Sequence, residues 1–232
     1  MTAPNSIDES AGNGYGLKTE TATSRLRELV ASGSFRPGEH LRQDHVAHLM
    51  GLTRVPVREA FKTLTADRIL VHRRNLGHFV AELTSGEMAD ICWVREVLEA
   101  ELARTAQTAD PEVIHALRNI NKEIADLIYT DAVHQRIELD EKFHSLLWEL
   151  SPHRLLIEET TRSSARLRPY RILMSSRIPD RDAHANQEHE QIIEALASGG
   201  GFAYQQALVA HLRNARVMVE LLREQETSLS TS

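Results

Sequence analysis

Asp140, His144, His189 and His211 carry side chains that divalent metals take as ligands, and each falls where a helix would bury a hydrophobe. Asp140 and His144 share the stripe Ile137, Asp140, His144, Leu147. His189 leads the stripe His189, Ile192, Ile193, Leu196, and His211 lies within Leu208, His211, Leu212, Ala215, Met218, Val219. Steps of three and four put each polar group on the apolar face of its own helix. A carboxylate or imidazole buried there without a partner costs roughly several kcal/mol, so partners must exist. A lone histidine on such a face is more often a hydrogen-bonded core residue than a ligand. The Asp-x-x-x-His pair shifts that balance, because i and i+4 side chains project from one face about a turn apart, the spacing by which two helical histidines share a zinc. Three imidazoles and a carboxylate suit zinc, nickel or a similar ion, with zinc the default expectation.

A second set of residues points to a different chemistry. Arg54, Arg58 and Lys62 recur every four residues opposite an apolar stripe of Val57, Ala60, Phe61 and Leu64. Such a row matches a helix lying in a major groove, its N-terminal side chains reaching base edges. A solvated basic face is the plainer alternative, and the elements around the row decide between them. Thr53, which can cap this helix, and Arg42, a phosphate-contact candidate before the preceding helix, complete the set.

Those elements can be read from punctuation and period. A helix is expected over about 17–31, ended by Ser32-Gly33, and a turn at Phe35-Arg36-Pro37-Gly38-Glu39. A short helix over 43–50, with Val46, Leu49 and Met50 inward, stops at Gly51. A third helix follows over 55–66, with Pro56 in its first turn. Ile69-Leu70-Val71 and His78-Phe79-Val80 read as strands about the turn Arg73-Arg74-Asn75-Leu76-Gly77. Helix, helix, break, helix, hairpin is the winged helix-turn-helix order. From Thr84 onward the strand signals stop. Helices are expected over about 85–107, 111–130, 132–150, 153–176, 180–198 and 202–224, and their short connections imply an antiparallel six-helix bundle. The fold class is mainly α. Domains are expected at 17–82 and 84–225, with disordered tails over 1–16 and 226–232.

Composition agrees with two modules. The chain has 232 residues and a net charge of −6. Residues 1–80 carry eleven Lys/Arg against eight Asp/Glu, and the remainder sixteen against twenty-five. A basic first part suits an anionic partner, and an acidic second part something else. The single cysteine, Cys92, precludes an internal disulfide and fits a reducing, cytoplasmic compartment. No run reaches the length that spans a bilayer, and the N-terminus lacks a secretory pattern.

The stretch from Gly33 to Leu41, containing Pro37-Gly38-Glu39, followed by Gly51-Leu52-Thr53-Arg54-Val55-Pro56-Val57-Arg58-Glu59-Ala60-Phe61, resembles the signature of the GntR family of bacterial transcription regulators. The likeness covers about residues 17–80. Residues 85–225 resemble the FadR C-terminal domain (FCD) class of effector modules, in its six-helix, VanR-type branch. In that class an Asp-x-x-x-His and two later histidines hold a metal, a pattern that Asp140, His144, His189 and His211 match in order and spacing. Two departures stand out: Arg68 where the family usually has glycine, and Leu76 beside the wing glycine where it usually has arginine. Arg54 and Arg58 are therefore the firmer DNA contacts.

The resemblance implies a cytoplasmic homodimer that binds operator DNA and senses a small organic acid at its metal site. Arg95 is the expected second anchor for that acid, because an arginine on an apolar stripe can grip a carboxylate bidentately. An i, i+4 ion pair with Glu99 is the alternative for the same side chain. A metal-dependent hydrolase, a metal-ion sensor and a purely structural metal remain rival readings. Against the first, Glu188 and Glu190 flank His189 but are expected to point away from it.

Overall fold

A computed structural model describes residues 9–175 and 179–230, and the side chains of 19–172, 180–216 and Val219. The chain divides into two compact units, Met1–Glu82 and Leu83–Ser232.

The first unit is built on α1 (Glu9–Ala31), β1 (His40–Leu41), α2 (Gln43–Met50), α3 (Arg54–Ala66), β2 (Leu70–Arg73) and β3 (Gly77–Val80). The sheet order is β1-β3-β2, antiparallel throughout. Strand β1 was not legible in the sequence, since two residues give no alternation to read. Its core joins Leu26 and Val30 of α1 to Phe35, Val46, Val57, Phe61, Leu64, Leu70 and Val80. Gly51 closes α2 in the left-handed conformation, with φ 64°, a geometry that costs glycine nothing. The inward face of α2 is Val46, Ala47 and Met50, whereas Leu49, expected inside, is 53% exposed. An eight-residue helix buries one narrow stripe here, and Leu49 falls off it.

The second unit contains α4 (Ser85–Arg104), α5 (Pro111–Leu127), α6 (Val133–Trp148), α7 (Arg154–Ser175), α8 (Pro179–Ala197) and α9 (Gly201–Ser230). Thr84 starts it with a capping box, its hydroxyl accepting from the Glu87 N–H while Glu87 accepts from the Thr84 N–H. Helix α4 packs along α9 and α7, and α5 along α6 and α8. Phe143, Leu147, Leu117, Ile192, Ile193, Tyr204 and Leu208 fill the main core.

The helices outrun the expected tails. Helix α1 begins at Glu9 rather than after residue 16, and α9 continues to Ser230. Adding a residue to an existing helix is far easier than nucleating one, and neither extension contains proline. Residues 1–8 and 231–232 of the expected tails, and the side chain of Met218, lie outside the described residues.

Candidate functional site

The basic row of α3 is held outward by its own core stripe. Pro56, Val57, Ala60, Phe61 and Leu64 are buried. Arg54, Arg58 and Lys62 are exposed on the other side. Each has an acid at hand: Arg54 Nε lies 2.6 Å from Asp44 of α2, and Arg58 and Lys62 reach Glu59 at 3.3 and 3.0 Å. Exposed pairs of this kind are worth little in water and exchange readily for another anion. Lys62 and Arg58 also hold the Glu59 carboxyl below its ordinary range, with Lys62 the larger influence. Thr53 occupies the N-cap position of α3, but its hydroxyl makes no capping bond. Arg42 precedes α2 in extended backbone and is exposed.

In the second unit three imidazoles converge from three helices. Atoms of His144 (α6), His189 (α8) and His211 (α9) lie within 4.8 Å of one another, and all three residues are buried. His144 Nε2 and His211 Nε2 are 3.2 Å apart. The Oδ1 atom of Asp140 lies 3.6 Å from His189 Nε2. Asp140, one turn before His144, lies beside His189 but outside the cluster of the three histidines. Phe143 stacks on the His189 ring at 4.1 Å and fixes its plane.

Two of the three rings are held by a hydrogen-bond acceptor beyond the centre. His211 Nδ1 meets Glu188 Oε2 at 2.7 Å, and His189 Nδ1 meets Asn121 Oδ1 at 3.2 Å. His144 Nδ1 lies 3.3 Å from Glu99 Oε2, an ion-pair distance without hydrogen-bond alignment. With acceptors behind, His211 and His189 carry their protons on Nδ1 and turn Nε2 inward. His189 Nε2 is fully buried and has no hydrogen-bond partner. A buried imidazole nitrogen left so is costly. Burial lowers the pKa of His189 and of His211, so taking up protons is a poor remedy. A divalent cation fits this donor set.

The carboxylates are charged in place. Burial raises the pKa of Asp140, but Arg171 beside it and the three imidazoles outweigh that and hold it well below the usual carboxylate range. For Glu99 burial again raises, while Arg95, His144 and Trp148 bring the carboxyl down to about 2. Glu99 Oε2 accepts from Trp148 Nε1 at 3.0 Å, and its Oε1 accepts from Arg95 Nε at 2.9 Å.

A cavity of about 160 Å³ opens beside the centre. Asp140, His144 and His211 contribute to its wall, with Arg95, Arg171 and Arg181 around them. Arg95 therefore faces the space expected of it, and its guanidinium is engaged with Glu99. Arg171, paired with Asp140, and Arg181, paired with Glu188, were not singled out in the sequence. Neither was Asn121, although an amide between Leu117 and Ile124 on one stripe was a legible sign. Glu188 departs from expectation, since its side chain reaches the outer nitrogen of His211 on the neighbouring helix. Sequence spacing sets the direction of its Cβ but not the reach of a long side chain between packed helices.

Two family models match the chain. Residues 18–80 match the bacterial regulatory proteins of the gntR family, and residues 90–214 match the FCD domain. This chain belongs to the GntR family of transcriptional regulators, with an FCD effector domain. Among its relatives, the HTH-type transcriptional regulator YdhC of Bacillus subtilis is 27% identical over 82% of this chain and 86% of its own length. The Nta operon transcriptional regulator of Aminobacter aminovorans is 31% identical over 60% of this chain and 67% of its own. The fold of E. coli McbR/YncC superposes with a TM-score of 0.79 at 18% identity, covering 88% of this chain and 98% of that one. A GntR regulator from Rhodococcus sp. RHA1 gives 0.72 at 25%, covering 87% and 97%. The relatives of this GntR protein are named as regulators, which removes the hydrolase reading. No helix among the described residues is long and apolar enough to cross a membrane.

Proposed function

We propose that this GntR regulator is a homodimeric, cytoplasmic repressor that reads a two-fold operator with α3 and senses a small organic acid at a metal site in its FCD domain. Arg54 and Arg58 read bases, with Lys62, Arg42 and Thr53 on the phosphates. Asp140, His144, His189 and His211 hold the ion, zinc by default. Bound there, the ion supplies a Lewis-acidic centre that attracts a carboxylate oxygen. The cavity arginines, Arg95 among them, give the acid its second anchor. Effector binding alters operator affinity only to the extent that the acid prefers one arrangement of the dimer.

The observation that carries the metal reading is His189 Nε2, buried without a partner and facing two imidazoles and a carboxylate. Metal analysis of the purified full chain tests it. About one zinc per chain is expected after loading, falling to near none in His189→Ala. An unchanged metal content in that variant removes the ligand set. A metal-ion sensor is the second reading, favoured by the same centre. Operator binding titrated with zinc alone, then with organic acids on the zinc-loaded protein, separates the two.

A further inference from the structure

Glu188 lies behind His211 and links it to a cavity cation, Arg181. Its Oε2 meets His211 Nδ1 at 2.7 Å, and the same oxygen accepts from both terminal nitrogens of Arg181 at 3.1 Å. Its Oε1 accepts from Asn214 at 2.8 Å. Arg181 and His211 line the cavity, and Glu188 does not. One carboxylate oxygen therefore serves a cavity cation and an imidazole together. What it gives to the guanidinium is withheld from the imidazole. A histidine whose outer N–H is held more strongly by a carboxylate becomes a better metal ligand. A parallel chain of contacts runs from Arg95 through Glu99 to His144, there on the two separate oxygens of Glu99.

We propose that Glu188 is a positioning residue that couples the cavity to the metal centre. An anion that draws Arg181 toward itself leaves Glu188 more fully to His211, and the metal is held more tightly. Linkage makes the effect reciprocal, so metal raises the affinity for the anion by the same factor. The coupling rests on the reading of the histidines as a metal site. It goes beyond that reading by naming the group through which occupancy of one site is felt at the other.

Zinc affinity of the full-length protein, measured by competition with a chromophoric chelator, tests this without any effector. Glu188→Gln keeps the shape and removes the charge, and should weaken zinc about 10- to 100-fold. Arg181→Gln releases the shared oxygen, as an anion would, and should tighten zinc by about fivefold or more. The deciding measurement is the double variant. If Arg181 acts through Glu188, the gain vanishes in the Glu188→Gln background. A gain that persists there is through-space relief of positive charge, and overturns the proposal, as does no gain in the single variant. Should Glu188→Gln fail to fold, Glu188→Asp draws the carboxylate back by one methylene, and should weaken zinc and abolish the gain from Arg181→Gln; unchanged affinity there counts against the coupling. Wild-type protein that takes up no zinc defeats the metal reading and this inference together. Normal zinc uptake with unresponsive variants defeats this inference alone.

Discussion

The two units of this regulator bury different things. Among the described residues, every buried polar or charged side chain lies in the second unit: Arg95, Glu96, Glu99, Asn121, Arg136, Ser151, Thr160, Ser164 and the three histidines. The first unit has an apolar core, and its charged groups lie toward solvent. A surface that meets DNA needs cations that give up weak partners quickly, so its chemistry belongs outside. A site that must distinguish a small ligand needs preorganised groups away from water, so its chemistry becomes part of the core. In the first unit, function and stability can therefore be altered separately. In the second they are tied together.

Substitutions that probe this contrast differ in size. The largest effect belongs to Glu99→Ala, which strands Arg95 in the core. Breaking a buried pair by removing one partner costs about 3–5 kcal/mol. Urea unfolding of the second unit should register it, and a loss under 1 kcal/mol breaks the claim that these charges are structural. Zinc comes next. At a hundredfold excess over its Kd, a metal bound only by the native state adds about 2.7 kcal/mol. Thermal melts with zinc and then with chelator should shift the second unit and leave the first in place; an equal shift in both erases the distinction. Arg54→Ala should cost about 1–3 kcal/mol in operator binding and relax base preference at one position, with folding stability unchanged. A loss spread evenly over all sequences reassigns Arg54 to the phosphates. The smallest effect is at Arg68, whose φ of 57° is left-handed. Arg68→Gly should stabilise the first unit by about 0.5–1 kcal/mol, read from its denaturation midpoint. A destabilisation would mean that the arginine side chain contributes more than its backbone costs.

Much of the architecture was legible because it depends on local rules. Asp110-Pro111 starts α5, Ser198-Gly199-Gly200 separates α8 from α9, and Gly51 ends α2, close to where the sequence places these breaks. The reader helix was visible because its basic and apolar faces alternate with the helical period. The four metal-type side chains stood out as polar residues on apolar stripes, and the fold brings the three histidines together with Asp140 beside His189. Their supporting groups were harder to see. Arg171 follows Arg166 and Arg168, and Arg181 lies between Asp180 and Asp182, where a surface role is usual for an arginine. Glu188 sits one residue from a stripe position, so its period argued against it.

By itself the sequence determined which residues had to be buried and which helix had to carry positive charge outward, since both follow from periodicity and from the cost of desolvating polar groups. Only the tertiary structure decided how those buried groups are paired. Glu188 belongs to His211, Glu99 to Trp148, Asn121 to His189. These partners come from different turns and different helices. Their meeting depends on how whole helices pack and how far long side chains extend, and neither is written in the spacing of one segment.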